Sequence, residues 1–264
     1  MTDDPKLIIF DWDGTLMDST DRIVDAFLHA MGDCRLPARD RHEIRDIIGL
    51  ALPEAVRLLY PEAAANDQQA LCRAYSAYYH TIDTPVRPYE GADRLLADLA
   101  EAGYWMAVAT GKSRRGLDEA LEASGLGAHF MTTRCAEESA SKPSPLMLEQ
   151  ILDELGRVAA RSTMVGDSIY DLQMAANARM ASIGITHGVH EAARLMAHGP
   201  LCCVDSLGAL GWHFRTPAPE RPQAPGSGTQ SAAIDTGDTA EYPEAANGPG
   251  ANLAKGSDQG RQGA

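Results

Sequence analysis

The sequence has no long apolar run and comparatively few positive charges. Its 264 residues contain no stretch that approaches the ~18 apolar residues typical of a membrane span. Lysine and arginine together number 23 against 37 acidic residues, which gives a formal net charge of −14. The largest basic cluster is Arg114-Arg115, whereas a nucleic-acid-binding protein usually carries a basic face. These absences argue against a membrane protein and against a nucleic-acid partner.

We also expect neither a targeting signal nor a disulfide framework. The N-terminal segment Met1-Thr2-Asp3-Asp4 is acidic, whereas a secretory or transit peptide is basic, and a strand-like run follows it almost at once. The five cysteines are odd in number and show no C-x-x-C spacing, so we expect reduced thiols. We therefore expect a cytoplasmic protein. Nothing in the sequence indicates its oligomeric state.

Short apolar runs alternate with helical stretches along most of the chain. Four of these runs lack polar alternation, which is typical of strands buried on both faces of a parallel sheet. Their alternation with helices predicts an α/β fold with a doubly wound parallel sheet. The predicted strands are 6–10, 105–109, 162–165 and 181–185, and the predicted helices are 89–102, 114–124, 144–155 and 168–177.

One stretch, residues 20–84, interrupts this alternation. Apolar residues such as Ile23 and Phe27 recur there at helical spacing, and no convincing strand is present. We expect this stretch to form an inserted α-helical cap domain. The core domain would then comprise residues 1–19 and 85–214.

The C-terminal residues 215–264 differ in composition from the rest. They hold eight glycines and six prolines, and only Ile234 and Leu253 are aliphatic residues larger than alanine. Such a segment buries too little apolar surface to offset the entropy lost on ordering. We predict a disordered C-terminal tail that lies outside the candidate site.

Polar residues follow directly after three of the predicted strands. Ligands of open parallel sheets bind at the carboxyl ends of the strands, so these polar residues are the candidates for a site. They are Asp11 and Asp13 after the first strand, Thr110, Gly111 and Lys112 after the second, Gly166, Asp167, Ser168 and Asp171 after the third, and Lys142 in a loop.

Carboxylates at neighbouring strand ends repel one another unless a cation compensates them. Mg²⁺ prefers oxygen ligands and suits sites that also hold phosphate. A carboxylate such as Asp11 can attack phosphorus as a nucleophile, and Asp13 can protonate the leaving alkoxide and later activate water. The hydroxyl of Thr110 and the ammonium of Lys142 can bind phosphoryl oxygens. Each motif alone also fits ordinary turns and helix caps, but the ordered set favours phosphoryl transfer.

The motifs resemble those of the haloacid dehalogenase-like superfamily. They are DWDGT at 11–15, TGK at 110–112, KP at 142–143 and GDSIYD at 166–171, and the resemblance covers residues 6–214. The helical insert after the first motif is similar to the small α-helical cap of that superfamily. Within the superfamily, the chain looks most like the phosphoglycolate phosphatase-like branch.

The resemblance implies a role for each motif residue. Asp11 is expected to be the nucleophile and Asp13 the general acid/base, and an Asp at position 13 favours phosphoryl transfer over halide removal. Mg²⁺ is expected to bind Asp11, the backbone carbonyl of Asp13 and Asp167, with Asp171 as a supporting carboxylate. The phosphoryl group is expected to bind to the second and third motifs, namely Thr110, Gly111 and Lys142.

The cap is expected to select the substrate, a small phosphorylated metabolite for which phosphoglycolate is one candidate. Arg45 lies in a segment that resembles the cap loop facing the site, where its guanidinium would suit a substrate carboxylate. An exposed helical arginine is the alternative interpretation. Three tyrosines of the cap fit its core better than a substrate-stacking platform, namely Tyr75, Tyr78 and Tyr79.

Other activities stay open at this point. A sugar phosphomutase would use the same Asp11 chemistry, and pyrophosphate or a nucleotide could replace the metabolite as substrate. A sensor of phosphorylated metabolites without turnover is the alternative least supported by the motifs.

Two local features lie outside the motifs. We interpret His187 and His190 as a surface loop pair. Ala178-Arg179 stands where the resemblance predicts a glycine, so an altered turn is expected there.

Overall fold

The computed structural model describes residues 6–215, so that residues 216–264 of the predicted tail lie outside the described residues. The strands of the described part are β1 Leu7–Phe10, β2 Met17–Asp18, β3 Arg87–Pro88, β4 Trp105–Thr110, β5 Thr132–Cys135, β6 Ser162–Gly166, β7 Ala181–Ile185 and β8 Cys203–Val204. Its α-helices are α1 Thr20–Asp33, α2 Arg41–Asp46, α3 Leu52–Leu59, α4 Ala65–Tyr79, α5 Ala92–Glu101, α6 Arg114–Ser124, α7 Leu146–Leu155, α8 Ile169–Asn177, α9 Ala192–Met196 and α10 Leu207–Arg215.

A parallel sheet of six strands lies at the centre, in the order β5-β4-β1-β6-β7-β8. Its central strand β1 pairs with β4 on one side and with β6 on the other. Ile8 and Phe10 pack into a hydrophobic cluster with α5 and α10, whereas Leu7 and Ile9 pack into a second cluster with α7 and α8. Both faces of the sheet are therefore buried, which explains why the strands lack polar alternation. The prediction of a doubly wound α/β fold is confirmed.

The two edge strands β5 and β8 lie where the sequence pattern predicts no strand. The sequence of β5 is TTRC, and only its last residue is buried. The strand β8 has two residues, both half-buried. A short edge strand is bordered by only one neighbour and needs few apolar residues, so a search for apolar runs does not detect it.

Helices α1 to α4 pack into a hydrophobic cluster of their own. The cluster is built on side chains with no exposed surface, including Val24, Ile44, Val56 and Leu71. A short antiparallel ribbon of β2 and β3 lies at the point where the helical insert leaves and rejoins the sheet. The inserted α-helical cap is therefore present, and its limits at residues 20 and 84 stay a prediction.

The helices of the described part are short. The longest of those in residues 6–215 is α4, with 15 residues. No helix in this range combines the length and the apolar character that crossing a membrane requires. The five cysteines all lie in the same range, and none of them forms a disulfide.

The turn after α8 holds an arginine in a backbone conformation that favours glycine. Arg179 has a φ of 54°. Its N–H donates to the carbonyl of Ala176 at 3.0 Å, and the N–H of Met180 donates to the carbonyl of Ala175 at 2.8 Å. These bonds close the helix in the way that a C-terminal glycine does. The turn thus keeps the geometry typical of glycine, and the backbone strain falls on Arg179.

We predict that Arg179→Gly stabilises the protein by about 0.5–1 kcal/mol. Glycine adopts a positive φ without the Cβ clash, although it also gains freedom in the unfolded chain. Urea unfolding followed by circular dichroism measures the change. The matched control is Arg94→Gly inside α5, where the side chain is 84% exposed and glycine should cost about 1 kcal/mol. Equal destabilisation by the two substitutions would contradict the prediction.

Candidate active site

Three buried carboxylates and one lysine meet at the carboxyl ends of β1 and β6. Asp11 follows β1, Asp167 follows β6, and Asp171 lies in the first turn of α8. Candidate ligand atoms of the three carboxylates lie within 4.8 Å of one another. Nζ of Lys142 lies 2.7 Å from Oδ1 of Asp11 and 2.6 Å from Oδ1 of Asp171. None of the four residues is more than 1% exposed, so their charges interact with little screening by water.

Burial and mutual repulsion shift the titration of this cluster. Burial raises the pKa of Asp11 well above its ordinary value; Lys142 opposes this shift, and Asp171 and Asp167 add to it. Burial, followed by Asp171, raises the pKa of Asp167 to about 7. Burial alone would lower the pKa of Lys142, but Asp11 and Asp171 raise it above its ordinary value. Lys142 is therefore charged, and its single ammonium cannot balance the charge of all three carboxyl groups when they are ionised.

The donor set fits a hard divalent cation. All of the candidate ligand atoms are carboxylate oxygens, the type that Mg²⁺ prefers. Oδ2 of Asp11 is buried and has no hydrogen-bond partner among residues 6–215. A buried polar atom without a partner costs free energy, which a bound cation would recover. The residues present therefore fit Mg²⁺ in both charge and ligand type.

The carboxylate of Asp167 is oriented by two hydrogen bonds. Oγ1 of Thr15 donates to its Oδ1 at 2.7 Å, and the N–H of Val189 donates to its Oδ2 at 2.9 Å. Gly14 lies against the same carboxylate with a φ of 81°, and a Cβ at this position would come within 2.2 Å of Oδ2. The DWDGT motif thus does more than supply Asp11, because its Gly and Thr shape the position of Asp167.

The carboxylate of Asp13 is held by a different set of partners. Oγ of Ser19 donates to its Oδ1 at 2.6 Å, and Nζ of Lys112 lies 3.1 and 3.2 Å from its two oxygens. Lys112 also donates to the hydroxyl of Tyr79, on the cap, at 3.2 Å. Burial alone would lower the pKa of Lys112, but Asp13 and Tyr79 raise it above its ordinary value. A charged Lys112 therefore links Asp13 to the cap.

The loop Ile48-Gly49-Leu50 brings the cap into contact with the core. A Cβ at Gly111 would lie 2.6 Å from the carbonyl oxygen of Gly49 and 2.4 Å from that of Leu50. The next residue, Ala51, donates its N–H to Oγ of Ser141 at 2.9 Å. The close approach of the two backbones at Gly111 thus depends on the absence of a side chain there.

Asp46 at the end of α2 makes a second contact between cap and core. Its carboxylate pairs with Arg194 and lies 3.3 Å from Nε2 of His190. Nδ1 of His190 accepts a hydrogen bond from the N–H of Ile169 at 3.0 Å. Burial, followed by Arg194, lowers the pKa of His190 to about 4. The interpretation of His187 and His190 as a surface pair is wrong for His190, which is 2% exposed, and His187 is half-buried.

A cavity of about 500 Å³ lies between the cap and these core residues. Its core wall comes from the loops after β1 and β4 and includes Asp11, Asp13, Thr110, Gly111 and Lys112. The start of α6 adds Ser113, Arg115 and Gly116 to the core wall. The cap wall is mainly apolar and includes Ile23, Phe27, Ile47, Leu52, Ala55 and Tyr75.

The family model described as haloacid dehalogenase-like hydrolase matches residues 8–185 of the chain. The chain belongs to this family. A curated relative, the "probable phosphatase IndB" of Dickeya dadantii, is 38% identical over 206 residues, covering 76% of this chain and 90% of the relative. The phosphoglycolate phosphatase of Vibrio parahaemolyticus is 30% identical over 219 residues, covering 78% and 95%.

The fold is also similar to that of a solved structure. The crystal structure of a hydrolase from Pseudomonas syringae superposes with a TM-score of 0.74 at 22% identity, covering 80% of this chain and 98% of that one. The predicted membership of the haloacid dehalogenase-like family is therefore confirmed, as is the prediction that the protein is a phosphatase.

The structure of this haloacid dehalogenase-like phosphatase gathers most of the predicted site residues. Lys142, Asp167 and Asp171 adjoin Asp11, while Asp13, Thr110 and Gly111 line the cavity. Arg45 is not brought to the cavity; its guanidinium lies 3.8 Å from Oδ1 of Asp21 and is 38% exposed.

The three cap tyrosines fit the interpretation as cap core only in part. Tyr78 donates to Oδ2 of Asp33 at 2.7 Å, away from the cavity lining. Tyr75 and Tyr79 both line the cavity, and the ring of Tyr75 packs 4.4 Å from that of Phe27. The pair therefore borders both the cap core and the space where a substrate would lie.

We predict that Gly111→Ala displaces the cap loop from the core. The added Cβ would overlap the carbonyls of Gly49 and Leu50, so the hydrogen bond from Ala51 to Ser141 should open more often. A local opening made easier by about 1.4 kcal/mol speeds amide exchange about tenfold. Hydrogen exchange of the Ala51 amide, followed by mass spectrometry or NMR, measures this change.

The control for this prediction is Gly32→Ala in α1. No heavy atom lies within 4 Å of the position of its added Cβ, so exchange at Ala51 should stay unchanged. If Gly111→Ala and Gly32→Ala gave the same exchange rate at Ala51, the proposed contact between loop and core would be refuted.

Proposed function

We propose that this protein hydrolyses a small phosphate monoester in a Mg²⁺-dependent reaction that passes through a phosphorylated Asp11. The observation that carries the proposal is the state of the Asp11 carboxylate. It lines the cavity, one of its oxygens lies 2.7 Å from Nζ of Lys142, and the other is buried without a hydrogen-bond partner among residues 6–215. Such a carboxylate is oriented and poorly solvated, which favours nucleophilic attack.

In the first step, Oδ2 of Asp11 attacks the phosphorus atom of the ester. The bond between phosphorus and the ester oxygen breaks as the bond to Asp11 forms, and Asp13 donates a proton to the leaving alkoxide. Lys112, within 3.2 Å of both Asp13 oxygens, offsets the charge that remains on Asp13. The hydroxyl of Thr110 and the N–H of Gly111 are the donors proposed for the phosphoryl oxygens.

In the second step, water hydrolyses the aspartyl phosphate. Asp13 accepts a proton from the attacking water, the bond between Asp11 and phosphorus breaks, and inorganic phosphate leaves. Asp11 thereby returns to its ionised form, and Asp13 returns to the protonated form in which it began the first step. The hydrogen bond from Ser19 at 2.6 Å keeps Asp13 in one orientation for both proton transfers.

The proposed ligands of Mg²⁺ are Asp11, Asp167 and the backbone carbonyl of Asp13, with Asp171 in support. When bound, Mg²⁺ would balance the negative charge of the carboxylates and of the phosphoryl group. Asp171 accepts hydrogen bonds from the N–H of Ser168 at 3.0 Å and from its Oγ at 2.6 Å, and it also contacts Lys142. Because these partners already engage both of its oxygens, a supporting role suits Asp171 better than direct ligation.

We predict that Asp11→Asn lowers the rate of phosphate release by at least about three orders of magnitude, because an amide is a poor nucleophile. The assay measures inorganic phosphate from a panel of phosphorylated metabolites, with and without Mg²⁺. The control is Asp93→Asn, a side chain that is 81% exposed, which should retain wild-type activity. Release that is unaffected by Asp11→Asn would exclude the proposed nucleophile, and substrate isomerisation without phosphate release would indicate a mutase.

We also predict that Mg²⁺ raises the melting temperature more at about pH 8 than at about pH 6. Burial, followed by Asp171, raises the pKa of Asp167 to about 7, so this carboxyl is mostly protonated at the lower pH and mostly ionised at the higher one. Binding at the lower pH must expel that proton, which weakens the apparent affinity. Differential scanning fluorimetry in Mg²⁺ and in EDTA measures the shift.

Asp167→Asn should abolish the effect of Mg²⁺ on the melting temperature at both pH values, whereas Asp93→Asn should preserve it. A shift of equal size at the two pH values would refute the assignment of a raised pKa to a metal ligand.

A further inference from the structure

The cap wall of the cavity is formed by tightly packed apolar side chains. Ile23 and Phe27 come from α1, Leu52 and Ala55 from α3, and Tyr75 from α4. Ile23, Phe27 and Ala55 are at most 6% exposed although they border the cavity, so the wall belongs to the cap core and is already formed. An apolar group that replaced water against this wall would gain hydrophobic free energy, whereas a charged group would lose hydration there.

The basic side chains in the cavity wall already have carboxylate partners. Lys112 lies 3.1 Å from Oδ1 of Asp13. Arg115 lies 2.8 Å from Oε1 of Glu119, and His80 lies 3.3 Å from Oε2 of the same residue. A second negative charge on the substrate, beyond the phosphoryl group, would therefore compete with Asp13 or Glu119 for each of these side chains.

Two further cations near the site also have carboxylate neighbours. Lys142 contacts both Asp11 and Asp171, and Arg45 lies beside Asp21 and outside the cavity wall. The carboxylate of phosphoglycolate would thus be desolvated without an unpaired cation among the described residues of the cavity wall to receive it, which is unfavourable.

We infer that the alcohol part of the substrate is neutral and mainly apolar, and that it lies against the cap wall formed by Ile23, Phe27, Leu52, Ala55 and Tyr75. The inference rests on the proposed phosphatase function, which places the phosphoryl group at Asp11 and Thr110 on the core wall. Both walls belong to the same cavity of about 500 Å³, so one ester can contact them together. This volume falls within the range of small-molecule sites.

The test compares kcat/KM for phenyl phosphate, butyl phosphate, methyl phosphate and phosphoglycolate in the full-length protein with Mg²⁺. We expect phenyl and butyl phosphate to exceed both methyl phosphate and phosphoglycolate by about tenfold or more, because the larger groups contact the apolar wall. Efficiency for phosphoglycolate equal to that for phenyl phosphate would overturn the inference.

A matched pair of variants then tests the wall itself. Leu52→Ala removes part of the wall and should lower kcat/KM for phenyl phosphate about tenfold while leaving methyl phosphate within about twofold. Leu58→Ala makes the same change on the same helix, at a side chain that is 51% exposed and outside the cavity lining, and should alter neither value. An equal ratio of phenyl to methyl phosphate efficiency in the two variants would count against the inference.

Failure of the proposed function would have a different signature, namely no Asp11-dependent phosphate release from any of the four esters. The wall can still be tested in that case by calorimetric titration of the Asp11→Asn protein with phenyl phosphate and with inorganic phosphate. Tighter binding of phenyl phosphate, reduced about tenfold by adding Leu52→Ala but not by adding Leu58→Ala, would support the apolar subsite. Equal affinities for the two ligands would overturn it.

Discussion

The ammonium of Lys142, held between two buried carboxylates, is the interaction on which the rest of the site depends. Removing charges from water is costly, and a carboxylate that is buried alone tends to take up a proton. Nζ of Lys142 lies 2.7 Å from Asp11 and 2.6 Å from Asp171, and it opposes the burial that raises the pKa of Asp11. A single ammonium cannot balance Asp167 as well. The same packing that holds the Asp11 nucleophile beside an ammonium in the interior therefore also creates a site with an affinity for a divalent cation.

The order of the strands explains why these groups meet and why the sequence reveals so many of them. β4 and β6 flank β1, so the loops that follow these three strands open at one edge of the sheet although they are far apart in the chain. Both faces of the sheet are covered, so each strand appears as an uninterrupted apolar run and its end is marked by the first polar residue. Asp11, Thr110 and Asp167 can be predicted in this way, because their positions depend only on where a strand ends.

The contacts between cap and core follow from packing that leaves no comparable mark in the sequence. Lys112 reaches Asp13 and Tyr79, which are 99 and 33 residues away along the chain, and His190 lies 3.3 Å from Asp46 of the cap. Arg45 shows that the sequence pattern can also suggest a contact with the site that the structure does not have. Its neighbour Ile44 has no exposed surface and faces the cap core, so a helix that turns about 100° per residue directs Arg45 elsewhere. Helical periodicity reveals an apolar face, but it does not reveal which loop lies over the active site.

Reaction and substrate choice are thus encoded in different parts of the molecule. The proposed phosphoryl site consists of strand-end residues of the core, and the family resemblance is carried by these residues. The alcohol would contact the cap, where side chains such as Phe27 and Leu52 can change without disturbing Asp11 or its partners. Interactions remote from the reacting atoms can still determine efficiency, because their binding energy is available to position the ester for attack. Similarity in the motifs therefore predicts the reaction that a member of this family catalyses. The identity of the alcohol has to be inferred from the residues of the cap wall.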